Sequence, residues 1–302
     1  MNLSFLSRIS SPAAGDNGFS VPAGDEGCVN LSVQGADARN FLQGQVTIDI
    51  DRMEPGHAQI GALCTPQGRV SVVFDVLCMP DQFILIVPFG IAKTVMAQLQ
   101  RYILRSRVVI GPVPAHGTIS VRYDPQSDLS PGSHAGTADD FVYNPSWLSA
   151  GWRFSQSSDA SVTASDQPLI SWAQARILWG VSQPVAATQN LFLPQMLNLD
   201  RLEAVNYNKG CYTGQEVIAR SHFRGTVKRQ LYRFVLHSAE SNPAIVRLTD
   251  TILTADQSAA GTVVECAMDD AGDQALMAVV KNAAADGPLY FGEHPLVPWP
   301  LD

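Results

Sequence analysis

The sequence has no CxxC or CxxH spacing, and its 302 residues include only five cysteines: Cys28, Cys64, Cys78, Cys211 and Cys266. An odd, scattered set argues against a disulfide framework. The missing paired spacing argues against a zinc site, so no stable metal is expected. Free thiols fit a reducing compartment. Long apolar runs are missing too: no stretch approaches the roughly 20 apolar residues that cross a bilayer. Met1–Ser20 shows no apolar run behind a basic start, so neither a membrane span nor a signal peptide is expected, and the cytoplasm is the expected location. Positive charge is scarce, with 20 Lys and Arg against 28 Asp and Glu and a net charge of -8. Such a chain is poorly suited to coating nucleic-acid backbones. Direct nucleic-acid binding is therefore not expected, and any anion site must be a local patch. What is plentiful is apolar residues, 46% of the chain, enough for real cores in two or three modest domains. A monomer is expected.

Along the chain, Cys28–Val33 alternates as a short strand, and Asp37 is placed to cap a helix through Phe41 and Leu42 that stops at Gly44. Gln59–Cys64 and Arg69–Leu77 read as strands joined by the turn Thr65-Pro66-Gln67-Gly68. Phe83–Val87 is a third strand. A helix with Ala92, Val95, Met96 and Leu99 on one face runs from Gly90 to about Arg101, and Arg107–Ile110 returns as a strand. Between Asp124 and Gln167, Ser, Gly, Pro and Asp predict loops and short strands. Helical pieces are expected at Trp172–Trp179 and from Leu193 to near Leu202. After Gly225 come four strands, Gln230–Leu236, Ile245–Leu248, Thr262–Ala267 and Leu276–Lys281, which predict a small β-barrel or sandwich.

The densest signal is Lys209-Gly210-Cys211-Tyr212-Thr213-Gly214-Gln215-Glu216. Thr213 and Glu216 have the spacing of a capping box, so a helix is expected to start here. Glu216 and Arg220 are four apart, in the favourable order for a helical ion pair. Cys211 then lies just ahead of a helix N-terminus and beside Lys209, two surroundings that favour a thiolate. Gly210 and Gly214 allow a tight turn and close approach. A plain cap and a small buried cysteine are the alternative reading. From Val217 to Ser238 there is no acidic residue, yet Arg220, Arg224, Lys228, Arg229 and Arg233 all fall there. This stretch suits a carboxylate- or phosphate-bearing ligand, or is simply a solvated face.

The Lys209–Glu216 block resembles the signature of the YgfZ family. Its flanks agree: Leu193–Asp200 upstream, and Ala219-Arg220, Arg224-Gly225 and Lys228-Arg229 downstream. Phe41–Thr47 and Pro66-Gln67-Gly68-Arg69 resemble motifs shared with aminomethyltransferases, and Arg101-Tyr102, Leu104-Arg105, Arg176 and Gly180 also fit. The resemblance implies an α+β fold, three-lobed like the glycine-cleavage T protein, with a C-terminal β-barrel and lobes around a central folate cavity. It implies a first folate-binding domain from 1–56 with 113–224, a second α+β domain at 57–112, and the barrel at 225–302.

It further implies a folate-binding accessory protein in the synthesis or repair of iron–sulfur proteins, including tRNA-thiolating enzymes. Tetrahydrofolate would be the cofactor and iron–sulfur client enzymes the partners. Cys211 and Lys209 would carry the chemistry. Trp172, Gln195, Tyr212, Gln215, Glu216, Arg220 and Arg224 would surround the folate, with Trp179 as the fallback for Trp172. Aligned on Gly68, the aspartate pair of the aminomethyltransferases falls on Val72 and Val73, which cannot move a proton; Asp75 is two or three residues away. Cys28 stands where some relatives have a folate-contacting tryptophan. A tetrahydrofolate-dependent one-carbon transferase is the alternative. One thiolate falls short of the four cysteines that commonly hold a cluster, so a cluster on Cys211 would need ligands from elsewhere.

Overall fold

The structure, a computed structural model, describes residues 18–21, 28–113, 119–123, 126–148, 152–156, 172–238, 244–269 and 272–300. In chain order the first part forms β1 (Gly18–Val21), β2 (Cys28–Gln34), α1 (Ala38–Gln43), β3 (Ala58–Cys64), β4 (Val70–Cys78), β5 (Gln82–Pro88), α2 (Phe89–Gln100) and β6 (Val109–Pro112). The middle forms β7 (Ile119–Tyr123), β8 (Ser133–Gly136), β9 (Phe141–Asn144), β10 (Trp152–Gln156), α3 (Trp172–Trp179) and α4 (Gln215–Phe223). The last part forms β11 (Arg229–Leu236), β12 (Thr251–Thr254), β13 (Ala259–Met268), β14 (Gln274–Lys281), α5 (Asn282–Ala285), β15 (Leu289–Phe291), β16 (His294–Pro295) and β17 (Val297–Trp299).

Three sheets result, ordered β1-β7-β10-β9-β8, β3-β4-β5-β2-β6 and β16-β15-β12-β13-β14-β11-β17. The two edge strands of the third sheet, β16 and β17, are joined through Leu296 alone, so that sheet curls almost into a closed barrel, as the turn-separated strands after Gly225 predicted. Phe234, Ile252, Val263, Leu276, Ala278 and Leu289 fill its interior.

The middle sheet holds the molecule together. All nine residues of β4 are buried, because both faces are covered. Val72, Phe74 and Val76 point to one side, where they meet Phe41 and Leu42 of α1 and Val95 and Leu99 of α2. Val73 points to the other side, toward Leu197, Leu199, Val264 and Met277, with Leu77 nearer Phe141, Tyr143 and Phe154. Burying each such side chain is worth about 1.5–3 kcal/mol, so this doubly covered strand fixes the three lobes to one another.

Several expectations change. The division at residue 57 does not follow the strand pairing: β2 is hydrogen-bonded to both β5 and β6, so residues 28–34 belong to the middle sheet. Asp37 makes no cap, because its carboxylate instead accepts the Arg107 backbone N–H at 2.7 Å and the Arg107 side chain. The returning strand is shifted to Val109–Pro112. Ile245–Leu248 is not a strand, and the barrel's second strand is Thr251–Thr254. The helical piece after Leu193 is a single 3-10 turn, Pro194–Leu197, ended by Asn198 in the left-handed region at φ 57. Part of the Ser-rich middle lies outside the described residues; the rest supplies β8, β9 and β10.

Candidate functional site

The Lys209–Glu216 segment forms a loop entering α4, held at three points. The Lys209 side chain is buried, and its Nζ donates to the carbonyls of Val46 at 2.8 Å and Ile48 at 2.5 Å. Nζ also lies 5.1 Å from the centre of the Tyr212 ring, a cation–π distance. Burial pulls the Lys209 pKa down to about 8, against the upward pull of the Asp49 and Asp51 carboxylates. The second anchor is Thr213, whose N–H donates to the Gly44 carbonyl at 3.2 Å and whose hydroxyl meets the Gln45 side chain at 3.3 Å. The third is a contact between two glycines. Gly214 has φ +86, and a Cβ there would lie 2.5 Å from the Thr65 carbonyl oxygen and 3.0 Å from Gly68 Cα. Gly68 in turn presses on Val217 and Ile218. The Phe41–Thr47 segment, the Pro-Gln-Gly-Arg turn and the Lys-Gly-Cys block, far apart in the chain, thus meet at one place.

The expected capping box does not form. Gly214 is the N-cap, with no side-chain cap bond, because the Thr213 hydroxyl is turned to Gln45. Nor do the exposed Glu216 and Arg220 form an ion pair among the described residues. Cys211 is exposed, while Cys28, Cys64 and Cys78 are buried and Cys266 is half-buried. Burial pushes the Cys28 thiol up to about 12 and also raises Cys64, Cys78 and Cys266. The one exposed thiol is therefore the one in the signature.

The other expected ligand contacts divide. Gln195 is buried, and its amide donates to Ile218 O at 2.9 Å and Tyr207 OH at 3.1 Å, so it fixes α4. Its Oε1 and the Tyr212 hydroxyl are buried without a partner among the described residues. Gln215, Arg220 and Arg224 lie along α4 and its C-cap, half-buried or exposed. Arg233 leaves the basic stretch altogether: it is buried, donates to the carbonyls of Leu178 and Pro300, and lies 4.3 Å from the Trp299 ring centre. Trp172 opens α3, which packs on β13 and β14, but its side chain lies outside the described ones. Arg101 and Tyr102 line a groove of about 570 Å³ on the far side of the Thr65–Gln67 turn, together with Lys93 and Asn190.

Sequence reasoning set one group aside that the structure brings forward. Asp75 lies on the same face of β4 as Val73 and is buried. Its carboxylate accepts from Trp147 Nε1 at 3.0 Å and Tyr143 OH at 3.2 Å. Burial pushes its pKa up to about 6, although both hydrogen bonds oppose the shift. Around it, Trp147 packs on Trp179 at 5.4 Å and on Phe154 at 6.0 Å, and Tyr143 packs on Phe154 at 5.2 Å. Arg176 does not neutralise it by contact. That guanidinium is bridged to Glu265 at 2.8 Å and donates to Gln183, which in turn donates to the Val73 carbonyl at 2.8 Å. The signal in the sequence was a lone carboxylate within nine otherwise uncharged strand residues.

Among the described residues, no group of three or more His, Cys, Asp or Glu is arranged to hold a metal, and no helix is long and apolar enough to cross a membrane. No family model matches the chain. An uncharacterized protein of Haemophilus influenzae is 29% identical over 221 residues, covering 70% of this chain and 71% of its own. A tRNA-modifying protein YgfZ of Vibrio atlanticus is 28% identical over 210 residues, 67% of this chain and 65% of its own. One of Yersinia pseudotuberculosis is 28% identical over 287 residues, 86% of this chain and 84% of its own. The glycine cleavage system aminomethyltransferase T from Bartonella henselae superposes with a TM-score of 0.73 at 13% identity, covering 93% of this chain and 84% of that one. That likeness shows the fold, and the expectation of an aminomethyltransferase-like architecture holds.

Proposed function

Because the chain is a relative of the YgfZ proteins, we propose that it is a cytoplasmic folate-binding protein that supports the synthesis or repair of iron–sulfur enzymes, including those that thiolate tRNA. The observation that carries the reading is the joint of three motifs that leaves Cys211 as the one exposed thiol.

The chemistry of the interior fits a pterin. A pterin offers N–H donors and a flat aromatic ring; the interior around β4 holds a buried carboxylate and the rings of Trp147, Trp179, Phe154 and Tyr143. Trp172 at the start of α3 remains a proposed wall. Gln195 and Tyr212, packed inside, would act by placing α4. Gln215, Arg220 and Arg224 are left to meet the carboxylates of a folate tail, with Glu216 beside them. Bound folate would supply a one-carbon carrier or a redox-active pterin. Lys209 acts on Cys211 by anchoring its loop, since its ammonium is committed to two carbonyls. Cys211 would present one sulfur at the surface to a client enzyme or its cluster, the remaining ligands coming from the client.

The test is a titration with tetrahydrofolate followed by tryptophan fluorescence. Saturable quenching, retained in Cys211→Ala, is expected; absence of saturation in the wild type removes folate from the function. Asp75 favours a second reading, a tetrahydrofolate-dependent one-carbon transferase, because it is a buried carboxylate poised to exchange a proton near neutral pH. That reading requires turnover of an amine-bearing substrate that survives Cys211→Ala and is lost in Asp75→Asn.

A further inference from the structure

The C-terminal end of α4 carries an aromatic surface that Tyr207 completes from outside the basic stretch. Tyr207, from the loop before the signature, stacks on His222 with ring centres 3.7 Å apart and planes 14° from parallel. Phe223 stands edge-on to both, 4.8 Å from His222 and 5.9 Å from Tyr207, and remains 65% exposed. A phenylalanine this open, braced by two rings, costs solvation without serving any core. Gln195 holds the Tyr207 hydroxyl at 3.1 Å and the Ile218 carbonyl at 2.9 Å, so one buried amide ties the platform to the helix.

Positive charge continues from the rings. Arg224 follows Phe223 directly, and Lys228 and Arg229 come within five more residues, all exposed. Arg229 lies directly opposite Lys281 in the ladder between β11 and β14. Like charges in that position repel; the Lys281 ammonium donates to the Ala259 carbonyl at 2.6 Å, which leaves its charge available to an anion shared with Arg229. Asn282 holds this corner in place, its N–H bonded to Lys228 O and its side-chain amide to Val227 O, each at 2.9 Å. The acidic neighbours are Glu216, two turns back along the helix, and Asp200, whose charge reaches Tyr207.

We propose that the Tyr207–His222–Phe223 platform and the Lys228–Arg229–Lys281 corner bind a short single-stranded polynucleotide. A base would stack on the exposed Phe223 ring, and phosphates would pass to the three cations. Aromatic faces flanked by cations suit bases and phosphates together, whereas an acidic peptide would use the cations and leave the rings idle. The acidic remainder of the surface confines contact to this patch, so the site is short and strongly salt-dependent.

The experiment is fluorescence anisotropy with a labelled eight-nucleotide oligoribonucleotide and the matching oligodeoxyribonucleotide, on the full chain, at two salt concentrations. Binding of either strand is expected to fall steeply as salt rises. Phe223→Ala should weaken it by about tenfold, in the range of one lost base stack, and Lys228→Ala with Arg229→Ala should flatten the salt dependence. Tetrahydrofolate titration of Phe223→Ala should match the wild type, which keeps this site distinct from the folate reading. No binding at low salt overturns the proposal. So does binding indifferent to Phe223→Ala, and so does equal competition by an oligoglutamate peptide, which would mark an acidic-protein contact.

Discussion

The loop of Cys211 and the buried surroundings of Asp75 use charge in opposite ways. In the loop, the charged group is the anchor: Lys209 is driven inside and held by two backbone carbonyls, while the Cys211 sulfur two residues on is left exposed. Around Asp75 the charged group is itself the feature: it is held by two neutral side-chain donors, with no cation in contact among the described residues, beside the Arg176–Glu265 bridge. A buried ion that only stabilises is normally paired like that bridge. A buried carboxylate whose pKa is raised by burial against a wall of aromatic rings is a pattern that recurs at working groups.

Disrupting the paired ion should have the largest effect. Arg176→Met leaves Glu265 buried without its partner and should cost about 3–5 kcal/mol in urea unfolding. A cost no larger than a surface substitution would mean the bridge is not the support described.

Next comes Asp75. Its pKa in the folded protein lies above the unfolded value, so the folded state binds more protons between the ordinary aspartate value of 3.8 and about 6. This group's contribution to stability therefore grows as pH falls through 6 toward 4 and is lost as pH rises through that window. Relative to Asp75→Asn, the wild type should gain up to about 3 kcal/mol across that range, two pKa units at the usual conversion. Parallel pH curves would place Asp75 in a wetter, paired environment.

The smallest effect belongs to the loop. Lys209→Ala strips the Val46 and Ile48 carbonyls of their donor and should cost about 1–3 kcal/mol. Alkylation by iodoacetamide should be fastest at Cys211 among the five thiols. If Lys209→Ala loses stability while Cys211 reacts as before, the lysine is an anchor; if the thiol slows in a fold of unchanged stability, Lys209 acts on the sulfur directly.

Periodicity placed most of the middle sheet, since alternating and continuous apolar runs such as Val70–Cys78 have few other outcomes. It missed Thr251–Thr254, because a four-residue strand with a bulge against β13 has almost no pattern to read. It also misassigned β2, because local sequence does not say which sheet edge a strand joins. The capping box failed for a related reason: the spacing was right, but a long-range partner, Gln45, took the threonine.

By itself the sequence determined the strands and helices with strong period, the family resemblance, and the Lys209–Glu216 block that carries it. These depend on neighbours a few residues apart. Only the tertiary structure decided that Lys209 points inward and Arg233 is spent on carbonyls, that Asp75 sits buried among rings, and that Tyr207 completes a platform with Phe223. Those facts depend on burial and on contacts between distant segments, which set the dielectric around a charge and the partner it finds.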